Sequence, residues 1–231
     1  MLDGNICLQE TWMDTSVSKS RLYAELHDEI ILCTKCPLCM HRQNAVVDRG
    51  TIDATMMVIC ESPGKMEDIK GKALVGQSGR LIDKLIKKAG IKSSDVIFTN
   101  VIHCRPAGNK FPDKPEIPSL CVKYTQRQLA IVKPRIVIVS GKQATQWILL
   151  DGRPLGTLRS VVGHTYKHTS YVYVEQFHVM YHPAFLLRAN DETLEERMLK
   201  ILKSAQSGLY SSGPLIADTM VGPQPKQGSL F

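Results

Sequence analysis

A chain of 231 residues, 43% of them hydrophobic, has apolar mass for one sizeable core and little for a second. Lys and Arg outnumber Asp and Glu by 29 to 22, a formal charge of +7 that admits a polyanionic partner without requiring one. No apolar run is long enough to span a bilayer and the start, MLDGNICLQETW, has no basic or apolar leader region, so an intracellular protein is expected, its seven cysteines serving as thiols or metal ligands.

Residues 1–17 carry no clear periodicity and are expected to be irregular. From 20 to 33 apolar residues recur at helical spacing, predicting an amphipathic helix that runs into CTKCPLC. TMMVIC (55–60) predicts a buried strand, and SGRLIDKLIKKAGI (78–91) a helix stopped by Gly90. A second strand is expected over 95–104, a helix over 117–133, a third strand over 135–140 and a helix through KQATQWILLD. Residues 171–182 read as extended, ending at His182-Pro183, and 192–206 as a last helix with acids early and lysines late, as the helix dipole favours. Beyond 206 the sequence turns rich in Gly, Pro and Ser, the composition of a flexible tail. Strands alternating with helices predict an α/β domain over 18–206, its sheet mostly parallel and covered on both faces.

Three of these strands end in polar residues. Cys60-Glu61-Ser62-Pro63-Gly64 follows the first, Thr99-Asn100 lies in the second and His182 closes the last. In a parallel sheet such ends lie side by side, so Glu61, Asn100 and His182 are candidates for one crevice, although singly a strand-end Asn is most often a turn or cap. The cysteines form a separate signal. Cys33-x-x-Cys36, Cys104 and Cys121 are four thiolates able to hold either a zinc ion or an iron–sulfur cluster, and by spacing alone the two are equally good readings.

The ordered set CTKCPL, CESPGKMED, GKALVGQSGRLID, TNVIHCRPAGNKFP, Cys121 and HPAFLLR resembles the iron–sulfur-containing, family 4 uracil-DNA glycosylases over about residues 28–205. The resemblance implies a three-layer α/β/α sandwich, a structural [4Fe-4S] cluster on Cys33, Cys36, Cys104 and Cys121, and action on uracil in DNA. Cys7, Cys39 and Cys60 do not match ligand positions, and Cys60 reads as a buried thiol.

The resemblance also implies roles. Glu61, Ser62, Pro63 and Gly64 would form one wall of a uracil pocket, Glu61 near uracil C5. The Asn100 amide would accept from uracil N3–H and donate to O4, a pattern that cytosine inverts. His182 would donate toward O2 as the base departs, with Glu61, Asn100 and His182 as the catalytic set. Leu74 and Ala73 stand where the family has Phe and Pro, which removes an aromatic face worth about 1–3 kcal/mol of base binding. Ser62 stands where better-known uracil glycosylases have a water-assisting Asp, so slow, dissociative cleavage is expected, with Glu67 or Asp68 as candidate helpers. For DNA, Arg105 and Asn109 would contact the backbone, Leu186 or Leu187 would wedge into the vacated stack and Arg188 would meet a phosphate. Lys65, Lys72, Arg80 and Lys110 are further basic candidates.

The last five residues, with Gln227, Leu230 and Phe231, resemble the sliding-clamp-binding peptide of bacterial replication proteins. The expectation is thus a monomeric uracil-DNA glycosylase in a prokaryotic cytoplasm or a phage-infected host, tethered to the clamp. The alternatives are a catalytically weak replication accessory that binds DNA and clamp, or an iron–sulfur redox protein, which would leave Asn100 and His182 unexplained.

Overall fold

The computed structural model of the chain describes residues 15–210. Cys7 and the terminal peptide with Gln227, Leu230 and Phe231 lie outside the described residues. Five strands form one sheet: β1 (Met56–Cys60), β2 (Val96–Asn100), β3 (Ile136–Ser140), β4 (Thr165–Tyr166) and β5 (Gln176–Met180). Their order is β2-β1-β3-β5-β4, with β4 antiparallel to β5 and every other pair parallel. The runs MMVIC and IVIVS, and VIFTN at the sheet edge, are buried at every position, which requires cover on both faces.

Seven helices supply that cover: α1 (Thr15–Ile31), α2 (Lys65–Lys70), α3 (Gln77–Lys88), α4 (Glu116–Val132), α5 (Lys142–Leu149), α6 (Pro183–Ala189) and α7 (Glu192–Tyr210). They pack chiefly within two sets. One runs α1 on α4 on α5, and the other runs α6 on α3 on α7; α5 and α7 both rest on β3. The sheet thus lies between two helical layers. On α3 the residues Ile82, Leu85 and Ile86 are buried at helical spacing, each worth about 1.5–3 kcal/mol of removed apolar surface. No helix among the described residues is long and apolar enough to cross a membrane.

The differences from the sequence reading have local causes. The helix expected from residue 20 already begins at Thr15. Of the extended run expected over 171–182, only Gln176–Met180 is strand; the amide of Val174 closes a turn on the carbonyl of Tyr171, where Tyr171 packs with His168, Tyr173 and Phe177. β2 stops at Asn100 instead of running to 104. The next residues cross the end of β1, with Val101 N–H on Cys60 O and Ile102 N–H on Glu61 O. Cys60 is a buried thiol, its pKa pushed up to about 12 by burial.

Strand order locates the crevice. The connection leaving β1 leads to β2 on one side and that leaving β3 leads through β4 to β5 on the other, so the topological switch point lies between β1 and β3. Glu61 stands there, one residue beyond β1.

Candidate active site

At the carboxyl ends of β1, β2 and β5 lies a cavity of about 700 Å³. Glu61, Ser62, Pro63 and Gly64 form one part of its wall, Leu74 and Gly76 another, and Asn100 and His182 close it. Residues scattered over more than a hundred positions meet because parallel strands end on the same edge. Asn109, Leu187, Arg188, Lys65 and Arg80 also reach the wall. Arg105 does not; its Nε donates to Asn109 Oδ1 at 2.8 Å and so braces a residue that does. Leu186 is buried in the core, 5% exposed, which rules it out as a wedge, whereas Leu187 is 45% exposed. Lys72 is off the wall, and Lys110 is spent on Asp113 at 2.8 Å.

Asn100 is the last residue of β2 and only 2% exposed, yet its Nδ2 has no hydrogen-bond partner among the described residues. A buried donor left unpaired costs roughly 1–3 kcal/mol, a cost that a carbonyl entering the cavity would remove. The backbone beneath it is fixed. Asn100 O accepts from Thr125 Oγ1 at 2.7 Å, and Thr99 Oγ1 donates to Gln128 Oε1 at 2.7 Å, so α4 holds the strand end from behind.

His182 caps α6, with Pro183 in the first turn, and its Nδ1 accepts from Ala184 N–H at 3.1 Å. Burial, aided by the charge of Arg188, lowers its pKa to about 4. At neutral pH the ring is therefore uncharged, and with Nδ1 committed as acceptor its one proton resides on Nε2.

Two acids of the wall, Glu61 and Glu67, and Asp68 beside them in α2, are tied to backbone. Glu61 Oε1 accepts from Gln143 N–H at 2.9 Å, joining β1 to the start of α5 across the switch point. Burial raises its carboxyl pKa, opposed by the amides of Gln143 and Lys142 and by Arg188. Gly141, at φ 100°, leaves room for this contact, since a Cβ there would lie 2.4 Å from Glu61 Oε1. Glu67 joins two loops, accepting from Gly64 N–H at 3.1 Å and Gly76 N–H at 2.7 Å. Asp68 Oδ1 accepts from the amides of Gln43 and Asn44 at 2.9 and 3.3 Å. The carboxylates suggested as water helpers thus serve as loop clasps.

Leu74 is buried at 5% exposure with φ 52°, a left-handed conformation that costs a branched residue about 1–2 kcal/mol. Packing enforces it. A Cβ at Gly79 would lie 1.7 Å from Leu74 O, so α3 presses its bare glycine backbone against this loop. Sequence reading missed Met66, Gln77, Ser78 and Ala184 on the wall and Thr125 behind it. Gln77 and Ser78 open α3 inside a stretch already singled out, whereas Thr125 is marked only by lying one helical turn after Cys121.

A second, tighter cavity of about 10 Å³ is lined by Cys33, Cys36, Cys39, Cys104 and Cys121, with Arg42, His103 and Tyr124. Arg42 Nη1 donates to Cys104 Sγ at 3.0 Å and His103 N–H to Cys121 Sγ at 3.3 Å, donors suited to thiolates. Burial raises the pKa of both thiols, while Arg42 lowers that of Cys104. Among the described residues no three His, Cys, Asp or Glu side chains come together around a single ion.

Residues 47–206 match the family model of the uracil DNA glycosylase superfamily. The chain is 35% identical over 165 residues to the type-4 uracil-DNA glycosylase of Pyrobaculum aerophilum, covering 71% of this chain and 84% of that protein. It is 34% identical over 197 residues to the type-4 uracil-DNA glycosylase of Saccharolobus solfataricus, covering 80% and 91%. With that of Thermotoga maritima the identity is 29% over 196 residues, covering 85% and 99%.

Proposed function

The chain belongs to the uracil-DNA glycosylase superfamily, in its type-4 branch, and from that premise we propose that the cavity at the ends of β1, β2 and β5 is where it hydrolyses uracil from DNA. As a member it is a hydrolase of base excision repair, acting on uracil-containing DNA. The unpartnered Asn100 Nδ2, buried in the same cavity as a neutral His182, carries the assignment.

Cleavage breaks the bond between uracil N1 and deoxyribose C1′, leaving negative charge on the base and positive charge on the sugar. Asn100 donates from Nδ2 to uracil O4 and accepts N3–H at Oδ1. Cytosine offers an amine to the donor and a bare N3 to the acceptor, so both contacts fail. His182 donates from Nε2 to O2 as charge gathers there, and a neutral imidazole gives this help without a proton transfer. The base leaves as an anion, and water then adds at C1′, its proton passing to solvent. With Glu61 and Glu67 on the wall and Asp68 beside them bonded to backbone amides, no carboxylate among the described wall residues is left unengaged as a strong base, which favours a dissociative path in which the sugar cation forms before water attacks.

Cys33, Cys36, Cys104 and Cys121 would hold the [4Fe-4S] cluster. A zinc ion, with Zn–S near 2.3 Å, would draw its sulfurs to within about 4 Å of one another, whereas a cubane spreads them, in keeping with five cysteines around one cavity and, among the described residues, no three gathered at one ion. When bound, the cluster supplies a cross-link joining the end of α1, the loop after β2 and α4, and no bond-breaking chemistry.

Arg80, Arg188, Asn109 and Lys65 would meet phosphates around the mouth, and Leu187 would fill the space left by the base. The terminal peptide of Gln227, Leu230 and Phe231 would dock on a sliding clamp and place a monomeric enzyme at replicating DNA in a prokaryotic cell or infected host. Deleting residues 227–231 should abolish binding to immobilised clamp while uracil release continues.

The test of the activity is a single-turnover assay of cluster-loaded protein on oligonucleotides carrying U, T or C. Alkali-labile breaks confined to uracil are expected. Binding of DNA without such breaks would replace the glycosylase with a replication accessory.

A further inference from the structure

The short helix α2, KMEDIK, is turned inside out. Its acids are its buried residues, Glu67 at 8% and Asp68 at 3% exposure, while Met66 at 41% and Ile69 at 44% face solvent. An ordinary surface helix does the reverse. The cause is the clasping already described: Glu67 and Asp68 turn inward to accept four backbone amides, which leaves Met66 and Ile69, three residues apart, on the outer face. Lys65 and Lys70 flank them, both exposed, and neither forms an ion pair among the described residues.

This apolar and basic face continues the cavity, because Lys65 and Met66 belong to its wall. From α6, Leu187 and Arg188 bring the same pairing of chemistries to that cavity: one exposed apolar side chain beside one cation. Resting on the glycosylase reading, we propose that the outer face of α2 docks on duplex DNA beside the extruded nucleotide, Lys65 and Lys70 on phosphates and Met66 pressed into the opened stack as a second wedge besides Leu187. Charge favours a polyanion, since burying both acids leaves the helix only cations to present. Continuity with the base-binding cavity favours DNA over an acidic peptide.

The test is fluorescence anisotropy of the full-length, cluster-loaded protein on a labelled duplex containing one stable abasic analogue, repeated over a salt series. Met66→Ser should weaken binding about tenfold with the salt slope unchanged, because it removes apolar contact and no charge. Lys70→Ser should lower the salt slope by about 1, the signature of one lost phosphate contact. Ile69→Ser serves as a companion to Met66→Ser, and a melting scan of each variant checks that these exposed changes leave the fold intact. If all three bind within twofold of the parent with the parent's salt slope, the docking face is wrong. Loss of a concentration-dependent dimer in sedimentation would then assign the face to a second copy and would equally overturn the proposal. Failure of the parent protein to release uracil would instead sink the glycosylase reading, so the two failures are separable.

Discussion

The two cavities are built on opposite principles. The cavity at the strand ends is roomy and mixes polar with apolar lining, and it contains a donor, Asn100 Nδ2, that nothing among the described residues satisfies. The cysteine cavity is far smaller, about 10 Å³, and two of its sulfurs already receive N–H donors from Arg42 and His103. On the proposed function, one is prepared for a ligand that comes and goes, the other for a group that stays. An unpaired donor is tolerated where substrate will pair it, while a permanent site is stabilised by supplying every hydrogen bond in advance.

The comparison is most sharply tested at Asn100. Asn100→Asp keeps the size but replaces the unpaired donor with an acceptor facing uracil O4. Uracil release should fall on the order of 10²–10³-fold, the loss of a hydrogen bond together with a repulsive one. The melting temperature should hold, since no protein partner of Nδ2 is lost. A normal single-turnover rate would show that the orphan donor is not the reader of the base.

The permanent site should respond in the other sense. Cys121→Ser or Cys104→Ser should lower iron content and the brown absorbance and destabilise the fold by several kcal/mol, as loss of a structural metal group does. Retention of full iron by both variants would refute the ligand set. Cys39→Ser separates the five cysteines: as a bystander lining the cavity it should keep both iron and stability.

Buried imidazoles should make the fold sensitive to acid, beside the cysteines, where burial lowers the pKa of His103 to about 4, as well as in the roomy cavity. Burial holds the pKa of His182 near 4, as it does that of His178 in the core. Both pKa values are lower folded than the ordinary unfolded value near 6.5, so the unfolded chain binds more protons between those limits. The stability they contribute is full above about pH 6.5 and is lost as pH falls toward 4, by roughly 3 kcal/mol for each ring. Chemical denaturation at pH 7.5, 5.5 and 4.5 measures this, and His178→Gln should flatten part of the fall. His182 should leave the uracil-release rate level from neutral pH down to about pH 5, since Nε2–H persists throughout.

What could be read from the sequence follows the same division. The buried strands announced themselves as apolar runs, and the polar residues after them converge because a parallel sheet brings its carboxyl ends together, so Glu61, Asn100 and His182 could be named before any coordinates. The roles of Glu61, Glu67 and Asp68 could not. Each carboxylate bonds to backbone amides, and residue type alone does not distinguish an acid that grips a loop from one that activates water. The short helices α2 and α6 escaped for a related reason. Neither has an apolar period to detect, one being fixed by inward-turned acids and the other by His182 and Pro183 at its cap. Choosing between Leu186 and Leu187 required knowing how α6 rotates, and only the packing of Leu186 against the core supplies that.

The smallest effect tests whether the two cavities are independent. Cys121 and Thr125 lie one turn apart on α4, the first facing the cysteine cavity and the second donating from Oγ1 to Asn100 O at 2.7 Å. Between Asn100 and Cys104 the chain is bonded throughout: Val101 and Ile102 to the end of β1, His103 N–H to Cys121 Sγ, and His103 O to Val46 N–H at 2.7 Å. The His103 ring adds a brace, since Nδ1 lies 2.8 Å from Val46 O and, facing a carbonyl, must be the protonated nitrogen. Thr125→Val removes one donor from a buried carbonyl and leaves every cysteine in place. Iron content should stay at the parent level while the single-turnover rate falls about tenfold, with the preference for uracil over cytosine reduced, and Thr125→Ser should restore both. If Thr125→Val lost iron, the threonine would belong to the cysteine cavity alone. If it changed neither rate nor preference, Asn100 would be held by its own strand and the two regions would be neighbours without a common brace.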